Sequence, residues 1–125
     1  MNTLESTRGK ITVQFGGRQR TFKFGLRSNI ILSELIDFKK LSEGDIETSA
    51  NSLAATFLSG LIAAGEAENE VTKKTPFEQV EDWIFEMGEE SAADVYELAQ
   101  HAMGFTSRLT EIVKDRHARK SGGKS

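Results

Sequence analysis

Apolar and polar residues alternate along two short segments near the N-terminus. The apolar members are Ile11, Val13 and Phe15 in the first segment and Phe22, Phe24 and Leu26 in the second. An alternation with a period of two places successive side chains on opposite faces of a β-strand. Between the segments, Gly16 and Gly17 can supply the positive φ angles of a tight turn, and a longer loop that includes Arg18 and Gln19 is the alternative. The pattern predicts a β-hairpin with one apolar face.

The remainder of the chain has apolar residues at helical spacing. The expected helices begin at Ser28 or Asn29, at Thr48 or Ser49, at Thr75 and at Ser91, and the first three end near Gly44, Gly65 and Gly88. The strongest start signal is Thr75-Pro76-Phe77-Glu78, which combines an N-cap, a proline in the first turn and a capping-box glutamate. A hairpin alone is marginally stable, so its apolar face needs cover from these helices. The sequence therefore predicts an α+β fold in which an N-terminal β-hairpin packs against a mainly helical body of four or so helices.

The expected domain organisation is a single compact domain over residues 10–113, because a chain of 125 residues suits one core. Residues 1–9 are polar and are expected to form a flexible leader. The last apolar stripe runs from Val95 to Ile112 and contains Gly104, where the helix could bend or break. Residues 114–125 are basic, lack apolar periodicity and are expected to form a disordered tail. The polar segment from Glu66 to Lys74 is expected to be a loop.

The charges are unevenly distributed, although the formal net charge is only −3. Basic side chains dominate residues 1–27 and acidic side chains dominate residues 66–97. One interpretation is a solvated acidic face, and the other is a surface that associates with a basic partner or with copies of the chain itself. The absence of cysteine excludes disulfides and thiolate metal sites, and no apolar run approaches the ~20 residues of a membrane span. We therefore expect a protein of the cytoplasm with no membrane partner.

Candidate catalytic and ligand-binding patterns are weak. The ending Gly122-Gly123-Lys124-Ser125 resembles the close of a phosphate-binding loop, but Ala118 occupies the position of the first glycine and no strand precedes it. His101 and His117 are too far apart for adjacent helical turns and lack a pattern of zinc ligands. The carboxylates between Glu78 and Glu90 lack a partner that would tune a catalytic pKa. We expect no enzyme activity, no catalytic residue, no metal site and no cofactor.

The hairpin also combines arginines with phenylalanines, as do some sheets that stack nucleic-acid bases. The alternation places Phe15, Phe22 and Phe24 on the face that should be buried, and the whole chain is acidic. The sequence therefore disfavours nucleic acid as a partner.

Several segments together resemble the tail assembly chaperones of long-tailed bacteriophages and of related gene-transfer particles. The resemblance rests on the hairpin and the helix after it, on the segment from Leu53 to Gly65, and on the segment from Thr75 to Ile84, and it covers about Lys10 to Leu98. It implies a non-enzymatic protein that binds the long tape measure protein in the cytoplasm of the infected bacterial host, keeps it soluble and helps to recruit tail-tube subunits. It also implies a longer product made by translational frameshifting. The alternative is a structural head–tail connector or tail-completion protein that stays in the virion.

Three aromatic residues are the candidate partner-binding residues: Trp83, Phe85 and Tyr96. Phe85 is out of phase with the apolar stripe of its helix, so we expect its ring to be exposed and available to a partner. The alternative is that all three are ordinary core or rim residues. Self-association is a further expectation, since amphipathic helices with uneven charge can also pair with copies of themselves.

Overall fold

The computed structural model of the chain describes residues 3–5, 9–66 and 77–122, with the side chains of residues 9–66 and 77–119. Within these residues the order of elements is β1 (Thr3–Glu5), β2 (Lys10–Phe15), β3 (Arg18–Lys23), α1 (Leu26–Leu35), α2 (Phe38–Ser42), α3 (Ile46–Ala63), α4 (Phe77–Met87) and α5 (Glu89–Gly122). The fold is α+β, with an N-terminal hairpin against a mainly helical body, as the sequence predicts. The expected loop after Glu66 and the expected cap at Thr75 lie outside the described residues.

Strands β2 and β3 form the predicted hairpin, and its turn consists of two residues. Phe15 pairs with Arg18, and the intervening Gly16 and Gly17 have φ angles of 61° and 82°. Positive φ at both central positions is the geometry of a tight hairpin turn, so the longer loop through Arg18 is not formed.

The sheet has a third strand, which corrects the expectation of a flexible leader over residues 1–9. β1 pairs antiparallel with β2, with Thr3 opposite Thr12, and gives the strand order β1-β2-β3. The backbone groups along the free side of β2 would otherwise form an open edge, and a short added strand satisfies them. Three residues are too few for an alternation of apolar and polar positions to predict a strand.

The first predicted helix is divided into two. Leu26 begins α1 instead of ending the hairpin, because the Ser28 hydroxyl accepts a hydrogen bond from the Gly25 amide at 2.8 Å and starts the helix early. Ile36 is extended at the end of α1. Asp37 then caps α2, since its carboxylate accepts hydrogen bonds from the amides of Lys39 and Lys40 at 2.9 and 3.2 Å. An aspartate cap inside the predicted helix therefore breaks it.

Helix α3 is the spine of the core. Eight consecutive residues from Ala54 to Leu61 are buried, so this helix is covered on all sides over two turns. The rings of the hairpin pack against it: Phe22 makes an edge-on contact with Phe57, with ring centroids 5.7 Å apart. Gly60 permits the close approach of Phe24, as an added Cβ would lie 2.5 Å from the Phe24 ring.

Helix α5 passes through Gly104 without a break and continues to Gly122. Residues 114–122 are therefore helical, which corrects the expectation of a disordered tail from residue 114. Neither a proline nor a further glycine interrupts residues 105–121, so nothing in this segment breaks the helix. The hydroxyls of Thr106 and Thr110 donate to carbonyls one turn back, at 3.0 and 2.9 Å, so they add no competing cap.

Candidate protein-binding surface

Helix α4 has an apolar inner face and an acidic outer face. On the inner face Val80 is 1% exposed, and Ile84 and Met87 are partly buried against the core cluster. On the outer face Phe85 is 86% exposed. The apolar stripe of α4 therefore packs against the core, and the Phe85 side chain on the other face is exposed to solvent, as its helical phase predicts.

The inner face of α4 is fixed to the hairpin by a cluster around Arg20. The Arg20 guanidinium lies 5.0 Å from the Trp83 ring centroid and 5.5 Å from that of Phe15. Its Nε donates to the Phe15 carbonyl at 3.3 Å. A buried arginine held between two rings and a carbonyl contributes cation–π attraction as well as packing.

A second link joins α4 to the hairpin turn, because the Gly16 amide donates to the Glu86 carboxylate. Trp83 also contacts Phe15 directly, with ring centroids 5.6 Å apart. The structure thus accounts for Trp83 as a contact within the fold. Side chains two positions apart in a helix are separated by about 200° around its axis, so Trp83 and Phe85 point to opposite sides of α4.

The sequence reasoning missed the role of Arg20. The signal was present, because Arg20 stands two residues before Phe22 and the period of two assigns both to the buried face. Arg20 is 5% exposed, so it is a core residue of the hairpin and not part of an outer basic patch. Phe15, Phe22 and Phe24 are also buried, so their faces cannot stack on nucleic-acid bases.

Phe85 lies among carboxylates. Glu81 and Asp82 precede it by one helical turn and are exposed, and Glu89 and Glu90 open the next helix. Tyr96, on α5, is 42% exposed. Neither Phe85 nor Tyr96 takes part in the ring pairs of the described residues, which involve Phe15, Phe22, Phe24, Phe57 and Trp83. The three predicted aromatic residues are therefore not joined in one site, and Phe85 is the most accessible of them.

A second apolar surface lies on the C-terminal half of α5. The exposed apolar side chains are Phe105 at 55%, Leu109 at 39%, Ile112 at 47% and Val113 at 57%. The sequence assigns Phe105, Leu109 and Ile112 to the same stripe as the buried Val95 and Leu98, and so to the compact domain. The structure instead places them beyond the part of α5 that packs against α3 and α4.

The described residues hold no group of three or more histidine, aspartate or glutamate side chains that could bind a metal ion. None of the described helices is both long and apolar enough to cross a bilayer. Among the described residues, Asp45 has a pKa below its ordinary value, because its carboxylate accepts hydrogen bonds from the Thr48 hydroxyl and amide. This carboxylate caps α3, so the shift has a structural cause.

Comparison with protein-family models, with curated proteins and with solved structures finds no match to this chain. The features of the described residues that bear on function are the exposed Phe85 ring with the carboxylates around it and the exposed apolar stripe of α5.

Proposed function

We propose that this chain is a non-enzymatic tail assembly chaperone that binds the tape measure protein of a long-tailed phage and helps to recruit tail-tube subunits. The observation that carries the proposal is Phe85, a phenyl ring that is 86% exposed on an acidic helix face. The resemblance of the sequence to this family supplies the identity of the partner. The surface supplies the chemistry of binding.

Burial of the exposed Phe85 side chain against a partner would contribute favourably to the free energy of binding. Full burial of such a side chain contributes about 1.5–3 kcal/mol. Aromatic anchors near the centre of an interface commonly account for much of its affinity. Phe85 leaves the fold of its own chain intact when it enters a partner, because Val80 on the opposite face of α4 holds the helix against the core.

The carboxylates around Phe85 define the chemistry of the partner. Glu81 and Asp82 would pair with lysine or arginine side chains that flank the apolar stripe of an amphipathic helix. A long protein with many such stripes aggregates when they are exposed, and a bound acidic chaperone covers a stripe while it adds solubilising charge. This combination suits a chaperone for the tape measure protein in the cytoplasm of the infected host.

The test is co-expression of the chain with the tape measure protein encoded beside it, followed by measurement of the soluble yield and of co-purification. The parent chain is expected to raise the soluble yield. Phe85→Asp is expected to lower the affinity by at least about 30-fold, the effect of losing a central anchor. The circular dichroism of the variant should match that of the parent, because the ring makes no core contact.

Ile46→Asp is a matched control. Ile46 is 85% exposed, almost the same as Phe85, and it lies in the first turn of α3, where an aspartate is favourable. This variant is expected to bind the tape measure protein like the parent. Equal binding by Phe85→Asp and by the parent would place the interface elsewhere, and no gain in soluble yield from the parent chain would contradict the chaperone role.

Mass spectrometry of purified virions separates the chaperone from a structural head–tail connector or tail-completion protein. A chaperone leaves during assembly, so the chain is expected to be absent from finished particles or present only in traces. Stoichiometric amounts in the virion would contradict the proposal.

A further inference from the structure

Helix α5 extends beyond the rest of the fold. Asn29 on α1 donates to the Thr106 hydroxyl at 2.9 Å, and all the side chains from Ser107 to Arg119 are exposed. A helix segment of this length is marginal in water without packing. One side of the segment is nevertheless apolar, which indicates a partner helix.

The apolar side follows a heptad repeat that begins inside the fold. The a and d positions are Val95, Leu98, Ala102, Phe105, Leu109, Ile112 and Arg116. The first three are at most 9% exposed, and the next three are between 39% and 55% exposed. The apolar stripe that packs into the core therefore continues along α5 without a change of phase. It becomes exposed where α5 extends beyond the other helices.

We propose that the projecting half of α5 pairs with the same segment of a second copy of this chain, in an antiparallel coiled coil. In this arrangement Leu109 packs against Ile112 of the second copy, and each Phe105 packs against Arg116 of the other chain. An arginine over a phenyl ring is a favourable contact. A twofold axis relates the two copies, so every contact occurs twice.

Charge complementarity selects this partner and this orientation. Arg108 and Asp115 occupy the g positions on either side of the Leu109–Ile112 layers. Antiparallel helices bring g positions together, so Arg108 faces Asp115 of the second copy, and the reciprocal pair forms by symmetry. A parallel pair would place Arg108 against Val113 and would bring the two Arg116 side chains together in the seam, which is repulsive.

The length of the projecting segment of α5 is also compatible with an antiparallel pair. The layers from Phe105 to Arg116 span about 16 Å at 1.5 Å per residue. In the antiparallel arrangement this span brings the C-terminal end of one helix towards the body of the other chain and places the two bodies at opposite ends of the paired segment. Ile30 and Leu26, one turn apart on α1, are 61% and 55% exposed and lie on the helix that contacts α5 at Thr106. The second chain would bring Val113 to this side of α5.

The first experiment measures the mass of the full chain in solution by analytical ultracentrifugation over a concentration series. The parent is expected to be a dimer. Leu109→Asp is expected to raise the dissociation constant by at least about 30-fold, whereas Ile46→Asp is expected to leave it unchanged. The fluorescence of Trp83, the single tryptophan, shows that the body is folded in each variant. A parent that stays monomeric at all concentrations would overturn the proposal.

The second experiment exchanges the charges. Arg108→Asp and Asp115→Arg are each expected to weaken self-association, because each creates two repulsive pairs. A mixture of the two variants is expected to form a heterodimer, since each acidic side chain of the first variant then faces a basic side chain of the second at both g-position pairs. Failure of the mixture to associate better than either variant alone would refute the pairing.

Cysteine cross-linking tests the orientation in a chain that has no cysteine of its own. An antiparallel pair is expected to give a disulfide when Phe105→Cys is mixed with Arg116→Cys, and none with Phe105→Cys alone, because the two Phe105 positions are about 16 Å apart along the axis. Cross-linking of Phe105→Cys to itself would show a parallel pair and would contradict the proposal. These results do not depend on Phe85, so failure of the chaperone role and failure of the dimer are distinguishable.

Discussion

The contact between Gly60 and Phe24 gives a sharp test of the packing between the hairpin and α3. Gly60 lies inside α3 and is buried. A Cβ at this position would lie 2.5 Å from Cε1 and 2.6 Å from Cζ of the Phe24 ring. The ring has little freedom to retreat, because it is 5% exposed and stacks on Phe22 with centroids 5.9 Å apart. The Cβ that Gly60→Ala adds would therefore overlap the Phe24 ring.

Two opposing effects decide the sign of the change. Alanine stabilises a helix interior by about 1 kcal/mol relative to glycine, and overpacking a well-filled core costs about 1–3 kcal/mol. We expect Gly60→Ala to lower the free energy of unfolding by about 1 kcal/mol. Gly104 is the matched control, because it lies inside α5 and an added Cβ would meet only the flexible end of Arg108, at 3.3 Å. Gly104→Ala should raise the free energy of unfolding.

Urea unfolding followed by circular dichroism, at one fixed protein concentration, measures both variants. The difference between them removes the helix propensity and leaves the overpacking cost of about 1–3 kcal/mol. Phe24→Leu removes ring atoms near Gly60, so Gly60→Ala should be less harmful in that background, and the double-mutant cycle should show the coupling. Equal stabilisation by Gly60→Ala and Gly104→Ala would refute the close approach of the hairpin to α3.

Two further predictions concern the N-cap of α3 and the C-terminal segment of α5. The hydrogen bonds from Thr48 hold the pKa of Asp45 below its ordinary value of 3.8, so the unfolded chain binds the proton more tightly. The stability that Asp45 adds is therefore present above this value and is lost as the pH falls through the folded-state pKa. Urea unfolding of the parent and of Asp45→Asn should show stabilities that converge in acid, and a gap that widens there would contradict the capping contact. Deletion of residues 114–125 from the Leu109→Asp variant should leave the thermal midpoint unchanged, because the side chains from Lys114 to Arg119 are exposed. A fall of more than about 4 °C would show that they are packed.

The parts of the fold that sequence patterns predict are those in which local and tertiary preferences agree. The hairpin follows from the alternation around Phe15 and Phe22 and from two glycines with positive φ. α3 follows from helical spacing of large and small residues, and every position from Ala54 to Leu61 is buried. In both elements the residue that favours the local structure also fills the core.

The errors arise where something other than apolar periodicity decides the structure. Asp37 ends a helix and begins another, although the apolar residues around it keep helical spacing. β1 has three residues, and its place depends on the free edge of β2 and not on its own pattern. After Thr106, helix α5 continues although its side chains are exposed. Apolar periodicity alone cannot distinguish such a projecting stripe from one that is buried in the core.

The candidate surface was partly predictable for the same reason. The phase of Phe85 against Val80 and Ile84 predicts an exposed ring, and the ring is 86% exposed. The role of Phe85 in partner binding stays a prediction. Phase alone could not assign Trp83, because its packing depends on Arg20 from a strand more than sixty residues away in the chain.

The two edges of the sheet limit how copies of this chain can join. β1 is three residues long, and β3 carries the exposed, charged Arg18 and Lys23. Short strands and charged borders are poor templates for the addition of further strands. Open-ended addition of strands, the growth that leads from an exposed sheet to fibres, is thus discouraged at both edges, so copies of this chain are more readily joined through helices than through the sheet.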